Sequence, residues 1–390
     1  MRGLSDVLEA ELAELATAGR LRACPELSGA SRQRPLPSPA AAPLISFCSN
    51  DYLGLASHPE VVSAAAATAS TEGFGAGAAR LVAGDLPAHR ALEVELARFL
   101  NREAALLFPT GYQTNLAVVT ALAGPNDLIA SDAANHASLI DGCRLSRATV
   151  EVFRHADPAA ADAALSRPGS FRRRLLLTES LFSMDGDVPP LGALAEVAAR
   201  HDAILAVDEA HAIGVLGPEG RGACTQAGIV PDVLIGTLGK ALGSAGGFAT
   251  GPRSLRAYLV NRARSFIFAT APPPPVAGAA LAGLRIAAGP EGQRRRERLV
   301  RSRLRVTERL ARAGHEVPTV ASSPILPVIV GDDRRAVAAS TRLRARGLFV
   351  PAIRPPTVPE GTARLRVTFS SEHTDDELDA LAEGLIEVLS

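Results

Sequence analysis

Lys240 is the only lysine in a chain that carries 40 arginines. A guanidinium stays protonated, whereas an amine sheds its proton when desolvated and condenses with carbonyl groups. Where arginine fills every other cationic position, the one retained lysine points to amine chemistry. Asp208 closes the run HDAILAVD, directly after the apolar residues AILAV. In a parallel sheet that is the carboxyl end of a buried strand, where open α/β folds place their ligands. A buried aspartate there serves either as a member of an ion pair or as a functional carboxylate. Paired with a lysine at another strand end, it gains a specific use. A carboxylate keeps a pyridine nitrogen protonated and a lysine holds pyridoxal 5'-phosphate (PLP) as an imine.

Such a cofactor also needs a site for a phosphate dianion. The stretch FPTGYQTNLAVV (108–119) has a small-residue turn opening a helix, so Gly111 and Tyr112 offer backbone N–H groups at a helix N-terminus. Thr237, three residues before Lys240, and Thr270 supply hydroxyls. His136 follows the apolar LIA run, where an imidazole is either a structural partner or a plate that stacks on a flat ring. The glycine run GFGAG (73–77) fails the dinucleotide pattern at Arg80 and reads as a tight turn. DEAH (208–211) lacks an upstream phosphate loop, and GTLGKA (236–241) has the wrong spacing for one, which removes a helicase reading.

The elements that must position these groups follow from the pattern. Short apolar runs such as LLLT (175–178), AILAV (203–207) and VLIGT (233–237) alternate with alanine-rich helical stretches. That predicts βαβ units in a mostly parallel sheet with helices on both faces. The expected organisation is an N-terminal amphipathic helix and proline-rich connector over 1–45, a large α/β domain over 46–285, and a smaller α+β domain over 286–390. In the last, a basic helix over 293–313 is expected to show Val300 and Leu304 on one side, its arginines being solvated. RLRVTF (364–369) reads as a half-buried strand, and Thr374 with Glu377 as the capping box of a final helix.

With 41 basic and 41 acidic residues, no net field draws the chain to nucleic acid or anionic lipid. No apolar run is long enough to span a bilayer, and the first twenty residues lack a secretory core, so a cytoplasmic protein is expected. Cys24, Cys48, Cys143 and Cys224 are scattered, which argues against a disulfide framework or a metal knuckle.

Six strings in order carry a resemblance: SNDYLGLASHP (49–59), TGYQTN (110–115), NHASLIDG (135–142), ESLFSMDGD (179–187), VDEAHAIGVLGPEGRG (207–222) and TLGKALGSAGG (237–247). Together the chain resembles the α-oxoamine synthases, fold-type-I PLP enzymes, from residue 46 to the C-terminus. AIRPPTVPEGTARLR (352–366) resembles the branch of that family that serves biotin synthesis. The resemblance implies a homodimeric acyltransferase that condenses L-alanine with a pimeloyl thioester, carried on coenzyme A or acyl carrier protein, with loss of CO2 and release of thiol. A sister member using glycine, serine or another acyl thioester is the alternative.

By motif, the resemblance implies that Lys240 carries the cofactor and moves the α-proton, Asp208 pairs with the ring nitrogen, His211 hydrogen-bonds the ring's phenolic oxygen and His136 stacks on its face. Gly111, Tyr112, Ser183 and Thr237 line the cofactor, with Thr270. Asn50 lies near the substrate, Arg354 holds the amino acid's carboxylate with Thr357 beside it, and Arg22, or alternatively Arg20, meets the acyl substrate. The family's glycine turn ends in Ser-Arg or Thr-Arg where this chain has Ala78-Ala79-Arg80, leaving room for an alanine side chain.

Overall fold

Twelve apolar runs become strands in a computed structural model that describes residues 3–25, 27–29, 33–35, 44–317, 320 and 322–390. In chain order these are β1 (Ile45–Ser46), β2 (Ala104–Phe108), β3 (Leu128–Asp132), β4 (Thr149–Phe153), β5 (Arg174–Glu179), β6 (Ala203–Asp208), β7 (Val233–Thr237), β8 (Gly247–Gly251), β9 (Ile325–Gly331), β10 (Leu348–Phe349), β11 (Ala352–Ile353) and β12 (Ala363–Thr368). The chain divides into two compact units. The larger comprises residues 50–300 with 322–324, the smaller residues 1–49, 301–321 and 325–390. The division therefore falls at 300/301, inside the helix Pro290–Arg312, rather than at 285/286, and the N-terminal segment groups with the C-terminal residues. Most of the connector over 22–43 lies outside the described residues.

The larger unit holds a seven-stranded sheet in the order β2-β8-β7-β6-β5-β3-β4, parallel throughout except that β8 runs against both neighbours. Successive residues of β3, β5, β6 and β7 are almost all buried. Since alternate side chains point to opposite faces, the sheet is covered on both, as uninterrupted apolar runs predict. Leu106, Phe108, Val118, Ile129, Leu177 and Ile235 form part of its core. From β3 the chain goes outward to β4 and then returns to the other side of β3 as β5. This reversal opens a crevice at the carboxyl ends of β3 and β5, the natural ligand position in such sheets.

The smaller unit contains an antiparallel sheet β11-β12-β9 and the parallel pair β1-β10. The capping box forms as expected: Glu377 N–H donates to Thr374 Oγ1 at 3.3 Å, and Thr374 N–H donates to Glu377 Oε2 at 2.8 Å, starting the helix Asp375–Leu389. Two expectations need correction. β12 is buried along its whole length, Arg364 and Arg366 included, so it is not half-buried. In the helix Pro290–Arg312 the buried stripe is Gly292, Arg296, Leu299, Arg303, Val306 and Leu310, with Ser302 buried beside it, whereas Leu304 is exposed and Val300 only half-buried. The spacing of four and three is that of a packed stripe, but two of its members are arginines and the pattern was invisible to an apolar count. The N-terminal helix Leu4–Thr17 has no buried residue.

Candidate active site

The ends of β5, β6 and β7 and the starts of the helices Gly111–Leu122 and Ala137–Ser146 converge on a cavity of about 230 Å³ in the larger unit. It is lined by Gly111, Tyr112, Asn115, His136, Ser138, Glu179, Asp208, Ala210, His211, Ile235, Gly236, Thr237 and Lys240. Seven residues singled out by the sequence are thus brought together: Gly111, Tyr112, His136, Asp208, His211, Thr237 and Lys240. Asn50, Ser183 and Thr270 belong to the same unit but do not line the cavity. Ser183 is buried in the loop after β5, and Thr270 is exposed, in an isolated bridge with Ala79. Arg20, Arg22, Arg354 and Thr357 belong to the smaller unit. There Arg20 pairs with Glu360 at 3.2 Å, Arg22 is exposed, Arg354 donates to the Gly19 carbonyl, and Thr357 N–H donates to the Arg354 carbonyl.

Lys240 sits in a turn fixed by its backbone. Leu238 N–H donates to the Gly246 carbonyl, Ser244 N–H to the Leu238 carbonyl and Gly243 N–H to the Lys240 carbonyl. Gly243 and Gly246 hold positive φ angles of 66° and 108°, which residues with side chains rarely adopt. Lys240 Nζ lies 2.9 Å from His211 Nε2, and His211 Nδ1 lies 2.6 Å from Tyr52 Oη. Tyr52 donates in turn to Asn50 Oδ1 at 3.1 Å. Because Tyr52 donates onward, His211 carries its proton on Nδ1 and its Nε2 accepts from the amine. The chain Lys240–His211–Tyr52–Asn50 is therefore directed, and it connects Asn50 to the cavity through two side chains.

Asp208 ends β6 with both oxygens occupied. Oδ1 accepts from Ala210 N–H at 2.8 Å and Oδ2 from Asn115 Nδ2 at 2.7 Å. Asn115 Nδ2 also donates to Ser138 Oγ at 2.8 Å, and Ser138 Oγ is 2.7 Å from His136 Nδ1. Ser138 N–H donates to that same ring nitrogen at 3.2 Å, capping the helix Ala137–Ser146. His136 Nδ1 is thus an acceptor. The residue is exposed overall, but desolvation by the surrounding protein holds the ring's pKa below the ordinary value, ahead of the upward pull of Asp208 and the downward push of Lys240. The imidazole is neutral, a flat plate at the cavity wall. Glu179, in register with Asp208 on β5, accepts from His136 N–H at 2.6 Å. Burial first, and then the Asp208 carboxylate, push its pKa well above the usual range.

The helix Gly111–Leu122 opens at the other end of the cavity. Thr110 caps it by accepting from Gln113 N–H, which leaves the N–H groups of Gly111 and Tyr112 without acceptors among the described residues. A Cβ added to Gly247 would lie 2.7 Å from Gly111 N, so glycine there lets the helix start close against β8. Thr237 Oγ1 lies on the same side, 2.9 Å from the Gly246 carbonyl. Tyr52, Asn115, Ser138 and Glu179 are polar groups that sequence reasoning missed as site members. The signal for Glu179 was present, since LLLTE repeats the apolar-run-then-carboxylate pattern of ILAVD. Asn115 lies one helical turn into its helix and Ser138 is the second residue of another, and nothing in their spacing announces the contact.

The donor set fits PLP: an amine, a carboxylate held by two donors, a neutral imidazole and a helix N-terminus with free N–H groups. Asn115 Oδ1 is in addition buried with no partner among the described residues. The sequence profile of the class I and II aminotransferases matches residues 42–385. The 8-amino-7-oxononanoate synthase of Anaeromyxobacter dehalogenans is 49% identical over 390 residues, covering 100% of this chain and 96% of the relative. That of Marinobacter nauticus is 47% identical over 91% of this chain and 90% of its own length. Among solved structures, serine palmitoyltransferase from S. paucimobilis with bound PLP and myriocin superposes with a TM-score of 0.91 at 29% identity, covering 99% and 98% of the two chains. The 8-amino-7-oxononanoate synthase of Francisella tularensis does so with a TM-score of 0.76 at 28% identity, covering 88% and 97%. The chain belongs to the class I and II aminotransferase family of PLP enzymes and, within it, to the 8-amino-7-oxononanoate synthases.

Proposed function

We propose that this chain is a cytoplasmic homodimer that joins L-alanine to a pimeloyl thioester, releasing CO2 and the free thiol and leaving 8-amino-7-oxononanoate. The observation that carries this reading is the meeting of Lys240, His211, Asp208 and His136 on one cavity at the carboxyl ends of the sheet. PLP, when bound, supplies an aldehyde carbon for amines and a cationic ring that withdraws electrons from the neighbouring carbon.

Lys240 Nζ is the amine that would hold this carbon and, as a free amine, would take the proton from the amino acid's α-carbon. His211 Nε2, 2.9 Å away, is placed to orient the amine and to share its proton. Asp208, held in place by its two donors, would face the ring nitrogen and favour a proton there. His136 provides the stacking face. The N–H groups of Gly111 and Tyr112, with Thr237, receive the phosphate, Ser183 and Thr270 completing the cofactor's surroundings. Asn50, Arg354, Thr357 and Arg22 (or Arg20) are assigned to the substrates by the resemblance. A bidentate guanidinium suits a carboxylate, so Arg354→Lys is expected to raise the KM for alanine more than it lowers kcat.

A dimer is supported by Phe74, Val82 and Phe268, which are 78%, 81% and 71% exposed, large apolar faces that a lone chain leaves in water. Their segments are tied together by Ala271 N–H donating to the Ala78 carbonyl at 3.0 Å. Phe268→Asp is expected to shift the sedimentation coefficient to that of a monomer.

Two measurements test the reading. Borohydride reduction of the yellow protein should fix PLP to the peptide containing Lys240, and an adduct on the N-terminal amine instead would refute the mechanism. Purified protein given L-alanine and pimeloyl-CoA should release thiol. Release only with glycine or serine would move it to a sister branch.

A further inference from the structure

His155 takes no part in the chemistry above, yet it ties together the two segments that flank the cavity. It lies in the turn between β4 and the helix Pro158–Leu165. Its Nδ1 is 2.9 Å from Asp132 Oδ1, at the end of β3, and its Nε2 is 2.9 Å from Asp187 Oδ2, at the end of the loop that follows β5. The ring meets Phe182 edge-on, with centroids 4.3 Å apart.

Each carboxylate organises a segment of the site. Asp132 Oδ1 also accepts from Ala134 N–H at 2.8 Å, and its backbone carbonyl accepts from Asn135 N–H, which sets the turn leading to His136. Its Oδ2 accepts from Ala156 N–H at 2.9 Å, holding Ala156 at a φ of 53°, a conformation alanine seldom adopts unaided. Asp187 closes the loop carrying Ser183, because Phe182 N–H donates to the Asp187 carbonyl at 3.0 Å and Gly186 N–H to the Phe182 carbonyl at 2.8 Å.

We propose that His155 is a positioning residue of this active site, a strut that fixes the turn bearing His136 and the loop bearing Ser183 at one spacing. Two ring nitrogens donating in opposite directions to two carboxylates define the distance between those carboxylates. No neutral side chain of similar size does so with two donors. The charge state agrees: the bonds to Asp132 and then to Asp187 outweigh desolvation and lift the imidazole pKa to about 10. No other charged group acts on it comparably, since the neighbouring Arg154 is engaged with Asp157. The strut rests on the PLP reading of the cavity, and displacing reacting groups by about 1 Å can cost about a hundredfold in rate.

The test compares the parent with His155→Leu, Asp187→Asn and the double variant. His155→Leu is expected to lower kcat about tenfold or more, to weaken PLP binding followed by its visible absorbance and circular dichroism, and to leave the KM for alanine within about threefold. The double variant is expected to be no worse than His155→Leu, because the two changes break one link. In NMR titration of the whole protein, the His155 ring should stay protonated to about pH 10 in the parent and titrate lower in Asp187→Asn. Unchanged kcat, PLP affinity and dichroism, with only a lower melting temperature, would overturn the proposal, as would a His155 ring titrating near its free value. Should His155→Leu not fold, Asp187→Asn carries the same kinetic and spectroscopic expectations. Failure of borohydride to trap PLP on Lys240 in the parent would instead refute the PLP reading, while the ring titration still judges the clamp.

Discussion

Two sets of buried charged side chains, one in each unit of this chain, serve different ends. In the larger unit Glu179 and Asp208 stand opposite one another in register, each the last residue of its strand. In the smaller unit Arg364 and Arg366 lie within β12, and Arg303 lies within a helix at 1% exposure. The carboxylates open onto a cavity with an amine in it. Arg303 instead donates to the Ile325 carbonyl, so its guanidinium serves the backbone. Burial of a charge does not by itself mark a catalytic site. A strand end, an opening and a partner of complementary chemistry do.

The comparison breaks first at Lys240. Lys240→Ala should abolish borohydride-fixed PLP and lower thiol release by about 10²–10⁴-fold from lost proton transfer alone, with thermal stability unchanged. Retained turnover would place the chemistry elsewhere. Asp208→Asn keeps the shape and the Ala210 contact but removes the charge, and is expected to cost on the order of 10²–10³-fold in kcat, read by the same assay. The smaller unit should answer in the other currency. Burial pulls the Arg303 pKa down to about 10, and Arg303→Ala leaves a void and removes the donor to the Ile325 carbonyl. It should lower unfolding free energy by about 2–5 kcal/mol in urea titration while PLP affinity stays unchanged. A catalytic defect without a stability defect there would erase the distinction between the regions.

Legibility followed the same division. β5, β6 and β7 are continuous apolar runs, so a carboxylate at the end of one stands out, and the solitary lysine stands out further. The sheet, the strand-end ligands and the helix start at Gly111 were therefore open to reading. The stripe of the helix Pro290–Arg312 was not, because Arg296 and Arg303 occupy two of its buried places and an apolar count skips them. In a chain that uses arginine so widely, long aliphatic stems fill interior positions that hydropathy assigns to solvent. Strand β12 misled in the same way. The expected face of Leu365, Val367 and Phe369 is buried, but so is the opposite face. Within the site, Tyr52, Asn115 and Ser138 were hidden for a different reason. They act through other side chains, across separations of 159 residues for Tyr52 and His211 and 93 for Asn115 and Asp208, which local spacing cannot report.

The smallest expected effect falls on the residue next to Asp208. Glu209 is fully buried but does not line the cavity; its Oε1 accepts from Cys224 N–H at 2.7 Å, and its Oε2 has no partner among the described residues. Burial, only partly offset by those hydrogen bonds, pushes its pKa up to about 7. A carboxyl with a raised pKa in the folded state contributes stability that is complete below its unfolded value near 4.5 and is lost as pH rises through about 7. Glu209→Gln keeps an acceptor for Cys224 and removes the titration. The variant should match the parent near pH 4.5 and exceed it above pH 7 by about 1–3 kcal/mol, seen as a melting temperature that falls less across that window than the parent's. Its kcat should be unaltered at the pH where both are folded, because the charge that serves the cofactor is the neighbour's. If Glu209→Gln instead lowered kcat as Asp208→Asn does, a buried carboxyl away from the opening would count as part of the machinery, and position at the cavity would no longer separate the two.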